Sequence, residues 1–119
     1  MQRYPLLADN PFMVFIELPI FIRCANTLFS DEDLSEIQNT LLENPAAGDL
    51  IQGGRGLRKL RVPLPGRGKR GGARVIYYCW IGKGRCYLVY AYAKNRAADL
   101  TQEQLHRLAS VIDAEVRDE

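Results

Sequence analysis

One stretch carries the clearest secondary-structure signal in this chain: residues 73–93 read ARVIYYCWIGKGRCYLVYAYA. Val, Ile, Tyr and Trp are frequent on both sides of Gly82-Lys83-Gly84, and these residue types favour pleated strands. The stretch therefore predicts two antiparallel strands, Ala73–Ile81 and Arg85–Ala93, joined by a tight hairpin that contains the two glycines.

The length of the hairpin loop determines which side chains share a face of the sheet. A two-residue loop, Gly82-Lys83, would place Cys79 opposite Cys86 and would put Arg74 and Lys94 on opposite faces. A three-residue loop with a glycine at positive φ would instead align Arg74 with Tyr92. We favour the three-residue loop, which gives one face to Arg74, Ile76, Tyr78, Leu88, Tyr90, Tyr92 and Lys94.

Upstream of the hairpin, the pattern predicts two more strands and two helices. Leu57–Val62 and Met13–Glu17 are the predicted strands. Ile20–Phe29 is the first helix, and Ser30 is the expected N-cap of the second, which ends near Asn44-Pro45. Residues 1–12 contain two prolines and an Asp-Asn pair, so we expect an irregular N-terminal extension before a single domain over residues 13–119.

Downstream of the hairpin, Thr101 and Gln104 form a Thr-x-x-Gln capping box before a helix with one apolar face. The resulting order is one strand, two helices, three strands and one helix. We therefore predict an α+β fold: a small antiparallel sheet, covered mainly on one face, with two N-terminal helices and one C-terminal helix.

The charges of the chain are separated along its length. Twelve of the 16 Lys and Arg residues lie between Arg55 and Arg96, and no acid lies between Asp49 and Asp99, although the formal net charge is only +2. A basic block of this kind is typical of a surface that binds phosphate.

The basic block contains a glycine-rich loop whose pattern matches two nucleotide motifs only superficially. Gly66–Gly71 fits G-x-G-x-x-G, but a strand follows it where a dinucleotide fold needs a helix. It also lacks the Ser or Thr that a Walker loop requires after Lys69. The alternatives that remain are a phosphate-approaching loop with Lys69 and Arg70, or a merely solvated loop.

Four strand or strand-end cations, Lys59, Arg61, Arg74 and Lys94, are the strongest candidates for a functional surface. With Tyr78, Tyr90 and Tyr92 they would form a cationic face on which unstacked RNA bases could lie. The alternative is a sheet face that is simply solvated. We expect Arg74→Ala to leave folding intact, because it removes charge rather than core.

Other chemistries find little support in the composition. The three cysteines lack C-x-x-C spacing and the chain has one histidine, so we expect no metal site and read the cysteines as small core residues. An odd cysteine count without an export signal favours the cytoplasm. No apolar run is long enough to span a bilayer.

Four segments of the sequence resemble the HigB branch of the RelE toxin superfamily: GDLIQG (48–53), GLRKLRV (56–62), GKRGGARVIYY (68–78) and YAKN (92–95). The resemblance runs from about residue 13 to residue 116. It implies a ribosome-dependent endoribonuclease that enters the ribosomal A site and cuts messenger RNA. It also implies neutralisation by a HigA-type antitoxin, through which alone the toxin would reach operator DNA.

The resemblance implies an active site of bases without a cofactor. Its catalytic positions correspond to Lys59, Arg61, Arg74 and Lys94. The resemblance also includes Lys69 and Arg70, in the loop before Arg74. We take these two as RNA-binding positions and add Arg58, Tyr78, Tyr90, Tyr92 and Arg96.

The general base is left open by one departure from the family pattern. Some relatives have an arginine directly after the equivalent of Lys94 and a tyrosine a few residues later. Here Asn95 follows Lys94, and Leu100 lies where that tyrosine is expected. Tyr92 is a nearby alternative, and Lys59 or Lys94, crowded by other cations, is another. A non-catalytic RNA- or ribosome-binding module, and a protein that docks an acidic partner peptide, also stay open.

Overall fold

The computed structural model describes residues 2–5, 13–66, 71–95 and 99–117. These residues form a six-stranded sheet and three α-helices. In chain order the elements are β1 (Gln2–Pro5), β2 (Val14–Glu17), α1 (Pro19–Leu28), α2 (Asp31–Glu43), β3 (Asp49–Leu50), β4 (Arg58–Val62), β5 (Ala73–Trp80), β6 (Arg85–Ala93) and α3 (Gln102–Ile112). The predicted α+β class, with two N-terminal helices and one C-terminal helix, is confirmed.

The sheet has the order β1-β2-β6-β5-β4-β3 and contains one parallel pair. β2 runs parallel to β6, with Val14 opposite Arg85 and Glu17 opposite Leu88, whereas the other neighbours are antiparallel. A parallel pair needs a long connection, which α1, α2 and the following strands supply here. The expectation of a purely antiparallel sheet is therefore wrong for this pair.

Two short strands lie outside the predicted elements. Gln2–Pro5 pairs antiparallel with β2, so the expectation of irregular structure through residues 1–12 is wrong for these four residues. Pro5 is tolerated because it ends an edge strand. Asp49–Leu50 pairs with the start of β4. The start of the domain at residue 13 stays a prediction.

Local signals set the helix boundaries. The backbone N–H of Asp33 donates to Ser30 Oγ at 3.1 Å, and the N–H of Ser30 donates to Asp33 Oδ2 at 2.9 Å. Thr101 and Gln104 make the same reciprocal pair at the start of α3. Both predicted caps are thus confirmed, and each satisfies N–H groups that the first helical turn leaves without partners.

Helices cover both faces of the sheet. Val75 and Tyr77 pack with residues of α1 and α2, whereas the intervening Ile76 packs with Leu105 and Leu108 of α3. The expectation of a sheet covered mainly on one face is therefore wrong. The apolar stripe of α3 is buried against the sheet, so any polar site must lie at an edge or end of this second face.

The β5–β6 hairpin contains both of the registers weighed from the sequence. Near the turn Cys79 lies opposite Cys86, and at the far end Arg74 lies opposite Tyr92. A β-bulge between the two halves reconciles them: Ile76 pairs with Tyr90 and Tyr77 with Leu88, which leaves Val89 as the extra residue.

The bulge also corrects the predicted face. Leu88 belongs to the cluster under α1 and α2, not to the face of Arg74, whereas Val89 packs on the α3 side. The turn itself is a 3₁₀ segment, Ile81–Lys83, closed by Gly84 at φ 64°. A residue with a positive φ was expected here, and glycine adopts it without steric cost.

The cysteines differ from the expectation of three unbonded core residues. Cys79 and Cys86 form a disulfide across β5 and β6, and Cys24 is free. Their facing positions in the turn-proximal register make this pairing possible. A cytoplasmic location stays a prediction. Within the described ranges, no helix has the length and apolar character needed to cross a membrane.

Candidate nucleic-acid interface

The strand pairing brings the predicted cations together at the end of the sheet remote from the β5–β6 turn. Arg61 of β4 lies opposite Arg74 of β5, which in turn lies opposite Tyr92 of β6. Lys59 is two residues before Arg61 and so shares its face. We call Lys59, Arg61, Arg74, Tyr92, Lys94 and Asp99 the cationic cluster.

Arg74 is the most buried cation of the cluster, with 6% of its surface exposed. Its Nη1 donates to the carbonyl oxygen of Gly71 at 2.7 Å and to that of Ala73 at 3.1 Å. The guanidinium therefore holds the backbone that leads into β5. Because a guanidinium has five N–H donors, these two bonds do not use its full capacity.

Asp99 is an acid that the sequence analysis did not select, and it lies among the cluster's lysines. Its Oδ1 accepts a hydrogen bond from Lys59 Nζ at 2.9 Å and one from the Tyr92 hydroxyl at 3.4 Å. Its Oδ2 lies 4.0 Å from Lys94 Nζ. The hydrogen bond from Lys59 holds the pKa of the Asp99 carboxyl below its ordinary value. Asp99 is therefore an anion at neutral pH.

Tyr92 is buried, with 7% of its surface exposed. Burial raises the pKa of its hydroxyl to about 12, and the Asp99 charge acts in the same direction. At neutral pH Tyr92 is therefore a protonated donor to Asp99. This state does not favour the alternative in which Tyr92 is the general base.

Arg61 is exposed and lines an open depression of about 320 Å³ together with Pro63 and Gly72. Gly72 adopts φ 67°, and a side chain there would collide with the Val62 carbonyl oxygen. The N–H of Lys94 donates to the Gly72 carbonyl oxygen at 3.0 Å. This glycine thus allows the loop before β5 to approach both β4 and the end of β6.

A second depression, of about 210 Å³, lies beside Lys59, Tyr92 and Asp99. Its rim includes the amide side chains of Gln52 and Gln102. Amides can bond to the edges of nucleobases, and the apolar part of the lining can contact a base plane. Sequence spacing did not indicate that Gln52 and Gln102 are neighbours, because Gln52 precedes β4 in the chain and Gln102 follows β6.

Arg58 is not brought into the cationic cluster. It lies opposite Tyr77, and its Nη1 donates to the Gly48 carbonyl oxygen at 2.9 Å. The Tyr77 hydroxyl accepts from the N–H of Gly48 at 2.9 Å and donates to the Pro45 carbonyl oxygen at 2.7 Å. Arg58 thus helps to fix the chain between α2 and β4, which differs from its predicted role at the RNA surface.

The three candidate tyrosines separate along the sheet. Tyr90 contacts Tyr92, with ring centroids 6.0 Å apart, and burial raises the pKa of its hydroxyl. Tyr78 lies nearer the turn and stacks on Tyr87, with centroids 6.4 Å apart. The cluster therefore includes Tyr92, borders Tyr90 and does not include Tyr78.

Three predicted RNA-binding residues, Lys69, Arg70 and Arg96, lie outside the described residues. In the parts of the chain that are described, no group of three or more His, Cys, Asp and Glu side chains is arranged to hold a metal ion. The single histidine, His106, is exposed on α3.

Comparison with known proteins relates this chain to bacterial toxins. A family model described as the RelE toxin of the RelE/RelB toxin–antitoxin system matches residues 16–116. The structure is also similar to E. coli toxin RelE, solved in the free state as a double arginine-to-alanine mutant, with a TM-score of 0.55 and 17% identity. The similarity covers 81% of this chain and 92% of that one, and at this identity it concerns the fold alone.

Proposed function

This chain belongs to the RelE family of toxins in toxin–antitoxin systems, and we propose that it is a ribosome-dependent endoribonuclease that cuts translated messenger RNA. The observation that carries the proposal is the convergence of Lys59, Arg61, Arg74 and Lys94 on one end of the sheet. Segments GLRKLRV and GKRGGARVIYY support its assignment to the HigB branch.

In the proposed reaction the RNA 2′-hydroxyl oxygen attacks the adjacent phosphorus. The bond from phosphorus to the 5′-oxygen breaks, which leaves a 2′,3′-cyclic phosphate and a 5′-hydroxyl. The pentavalent state carries more negative charge than the diester, so cations stabilise it preferentially. Arg61 and Arg74 are suited to the non-bridging oxygens because guanidinium forks match their geometry.

The leaving 5′-oxygen needs a proton, and the cluster contains suitable donors. Lys59 and Lys94 are ammonium donors, and the Tyr92 hydroxyl is protonated at neutral pH. The proton of the 2′-hydroxyl leaves to a base that we do not assign. We propose that the ribosome holds the RNA in its reactive geometry, which removes a large part of the activation barrier. We therefore expect negligible cleavage of free RNA.

The test compares Arg61→Ala with Lys83→Ala by primer extension on messenger RNA during translation. Arg61 is exposed within the cluster, whereas Lys83 lies 5.4 Å from the Trp80 ring at the hairpin turn. Wild type and Lys83→Ala should produce new internal 5′ ends. Arg61→Ala should lower the cleavage rate by about 10²–10³-fold, as for loss of one transition-state donor.

Three results would count against the proposal. Stalling of ribosomes without new 5′ ends in wild type would indicate a non-catalytic ribosome-binding module. Equal loss in both variants would show that overall charge, not the cluster, matters. Rapid cleavage of free RNA would contradict dependence on the ribosome.

Membership in a toxin–antitoxin family implies an antitoxin partner. We propose a HigA-type antitoxin that carries the helix-turn-helix, so that the toxin reaches operator DNA only within the complex, in the cytoplasm. Co-expression with the neighbouring small open reading frame should restore growth and yield a copurifying complex. If no neighbouring gene restores growth, this would argue against a HigA-type partner.

A further inference from the structure

Asp99 is the carboxylate on which residues from two strands converge. Its Oδ1 bonds with Lys59 of β4 and Tyr92 of β6, and its Oδ2 faces Lys94 just beyond β6. Asp99 itself lies in the segment between β6 and α3. The carboxylate therefore links three elements at the centre of the proposed active site.

The partners of Asp99 differ in mobility. Lysine ends on a flexible four-carbon stem, and the Lys59 side chain is 30% exposed. The Tyr92 ring is buried and has few rotatable bonds, so it provides a fixed hydroxyl. Asp99 bonds to both and thereby transmits the fixed position of Tyr92 to Lys59. It also offsets the repulsion between Lys59 and Lys94, which would otherwise drive the two ammoniums apart.

We infer that Asp99 is a positioning residue for RNA cleavage: its carboxylate, anchored by Tyr92, holds the Lys59 ammonium in the orientation in which a phosphate meets it. This inference rests on the proposed nuclease function. An ammonium has three donors, so the bond to Asp99 leaves two for phosphate oxygens. The lowered pKa of Asp99 makes it a weak base, which favours positioning over proton abstraction.

Several charged groups surround Lys59 and bear on where its ammonium lies. Arg61 lies on the same strand, Arg74 on β5, and Lys94 just beyond β6. Asp49 of β3 lies opposite Lys59 in the strand pairing. Without Asp99, repulsion by the neighbouring cations would favour positions of the Lys59 ammonium away from the cluster.

The experiment measures single-turnover cleavage on programmed ribosomes, as a function of toxin concentration, for wild type, Asp99→Asn and Asp99→Glu. Asp113→Asn is the matched control, because it also removes one negative charge but disrupts an ion pair with Arg55 at 2.7 Å. Circular dichroism and thermal unfolding verify that each variant is folded.

We expect Asp99→Asn to lower the rate at saturating toxin by about 10–100-fold, the size of effect that follows removal of a partner that orients a reactive group. The concentration for half saturation should not rise, because an anion has left a phosphate-binding surface. Asp99→Glu should restore much of the rate, and Asp113→Asn should match wild type.

The outcomes separate this inference from the proposed function. Active wild type with Asp99→Asn indistinguishable from Asp113→Asn would overturn the positioning role alone. Faster cleavage at saturating toxin in Asp99→Asn would show that Asp99 opposes the substrate, and would also overturn it. Folded wild type that never cleaves would overturn the proposed function and this inference with it.

Discussion

The two ends of the β5–β6 hairpin hold cations in contrasting ways. Near the turn, Lys83 lies over the Trp80 ring, and Arg85 Nη1 donates to the Tyr87 hydroxyl at 3.2 Å. These neutral aromatic partners hold each cation separately. At the far end, strand cations face one another and two lysines approach one carboxylate. Lys and Arg occur near both ends of the hairpin in the sequence. A candidate site is therefore distinguished by the convergence of cationic side chains more than by their number.

The largest effect expected from this contrast is on catalysis by Arg74. Arg74→Ala should lower ribosome-dependent cleavage by about 10²–10³-fold, or about 2.7–4 kcal/mol, whereas Arg85→Ala at the turn end should change it little. Primer extension on translated messenger RNA measures both. Equal effects of the two substitutions would remove the distinction between the ends.

The same substitution also revises the expectation that Arg74 can be removed without affecting folding. Arg74 is buried and bonds to the Gly71 and Ala73 carbonyl oxygens. Losing a charged donor leaves these acceptors without that partner, so we expect the free energy of unfolding to fall as well. Urea unfolding checks this, and Arg74→Lys distinguishes loss of charge from loss of the guanidinium fork.

At the far end of the hairpin, Tyr92 should contribute most to the change of stability at alkaline pH. Its pKa is about 12 in the folded chain against 10.0 ordinarily, so the protonated hydroxyl favours the folded state. This stabilisation is complete below pH 10 and is lost as pH rises toward 12, by roughly 2.7 kcal/mol at most. Tyr92→Phe should abolish that part of the loss. Tyr78→Phe, nearer the turn, should retain it in urea unfolding across this pH range.

Backbone conformation provides a third comparison between the ends. Gly72→Ala should destabilise the fold by at least about 1–3 kcal/mol, because the site has φ 67° and a side chain would meet the Val62 carbonyl oxygen. Gly82→Ala, where the nearest atom to a new Cβ is Trp80 Nε1 at 3.9 Å, should be close to neutral. Chemical unfolding of the two variants measures the difference, and comparable losses would contradict it.

The smallest expected effect is on stability at acid pH. The pKa of Asp99 is lowered in the folded chain, so its ion pairs stabilise the fold above the ordinary value of 3.8 and are lost as pH falls through the lower folded value. Asp99 is exposed, and solvent screening keeps the contribution small. In Asp99→Asn the free energy of unfolding should depend slightly less on pH below pH 4. A steeper dependence in this range would contradict the predicted sign.

Features encoded by neighbouring residues were predictable from the sequence. The bounds of β6, the Ser30 and Thr101 caps and the presence of two helices before the meander follow from short-range hydrogen bonding and side-chain alternation. The meeting of Lys59, Arg61 and Arg74 was also foreseen, because strand alternation places them on one face.

Features that depend on distant contacts were not predictable in this way. The parallel contact of β2 with β6 and the docking of α3 arise from packing across the chain. Lys94 and Arg96 lie close to Asp99 in sequence, but its link to Lys59 spans 40 residues. Arg58 faces the other side of β4 from Lys59 and Arg61, and its bond to the Gly48 carbonyl oxygen was not evident from spacing.

The extra residue at Val89 has a consequence for comparing or redesigning members of this family. It lets one hairpin hold the Cys79–Cys86 disulfide near the turn and Arg74 opposite Tyr92 at the far end. Strand pairing without the bulge could accommodate only one of these two arrangements. A relative one residue shorter between Trp80 and Lys94 would have to give up one arrangement. Alignments that place a gap elsewhere in this hairpin would therefore assign the wrong side chains to the proposed RNA-binding surface.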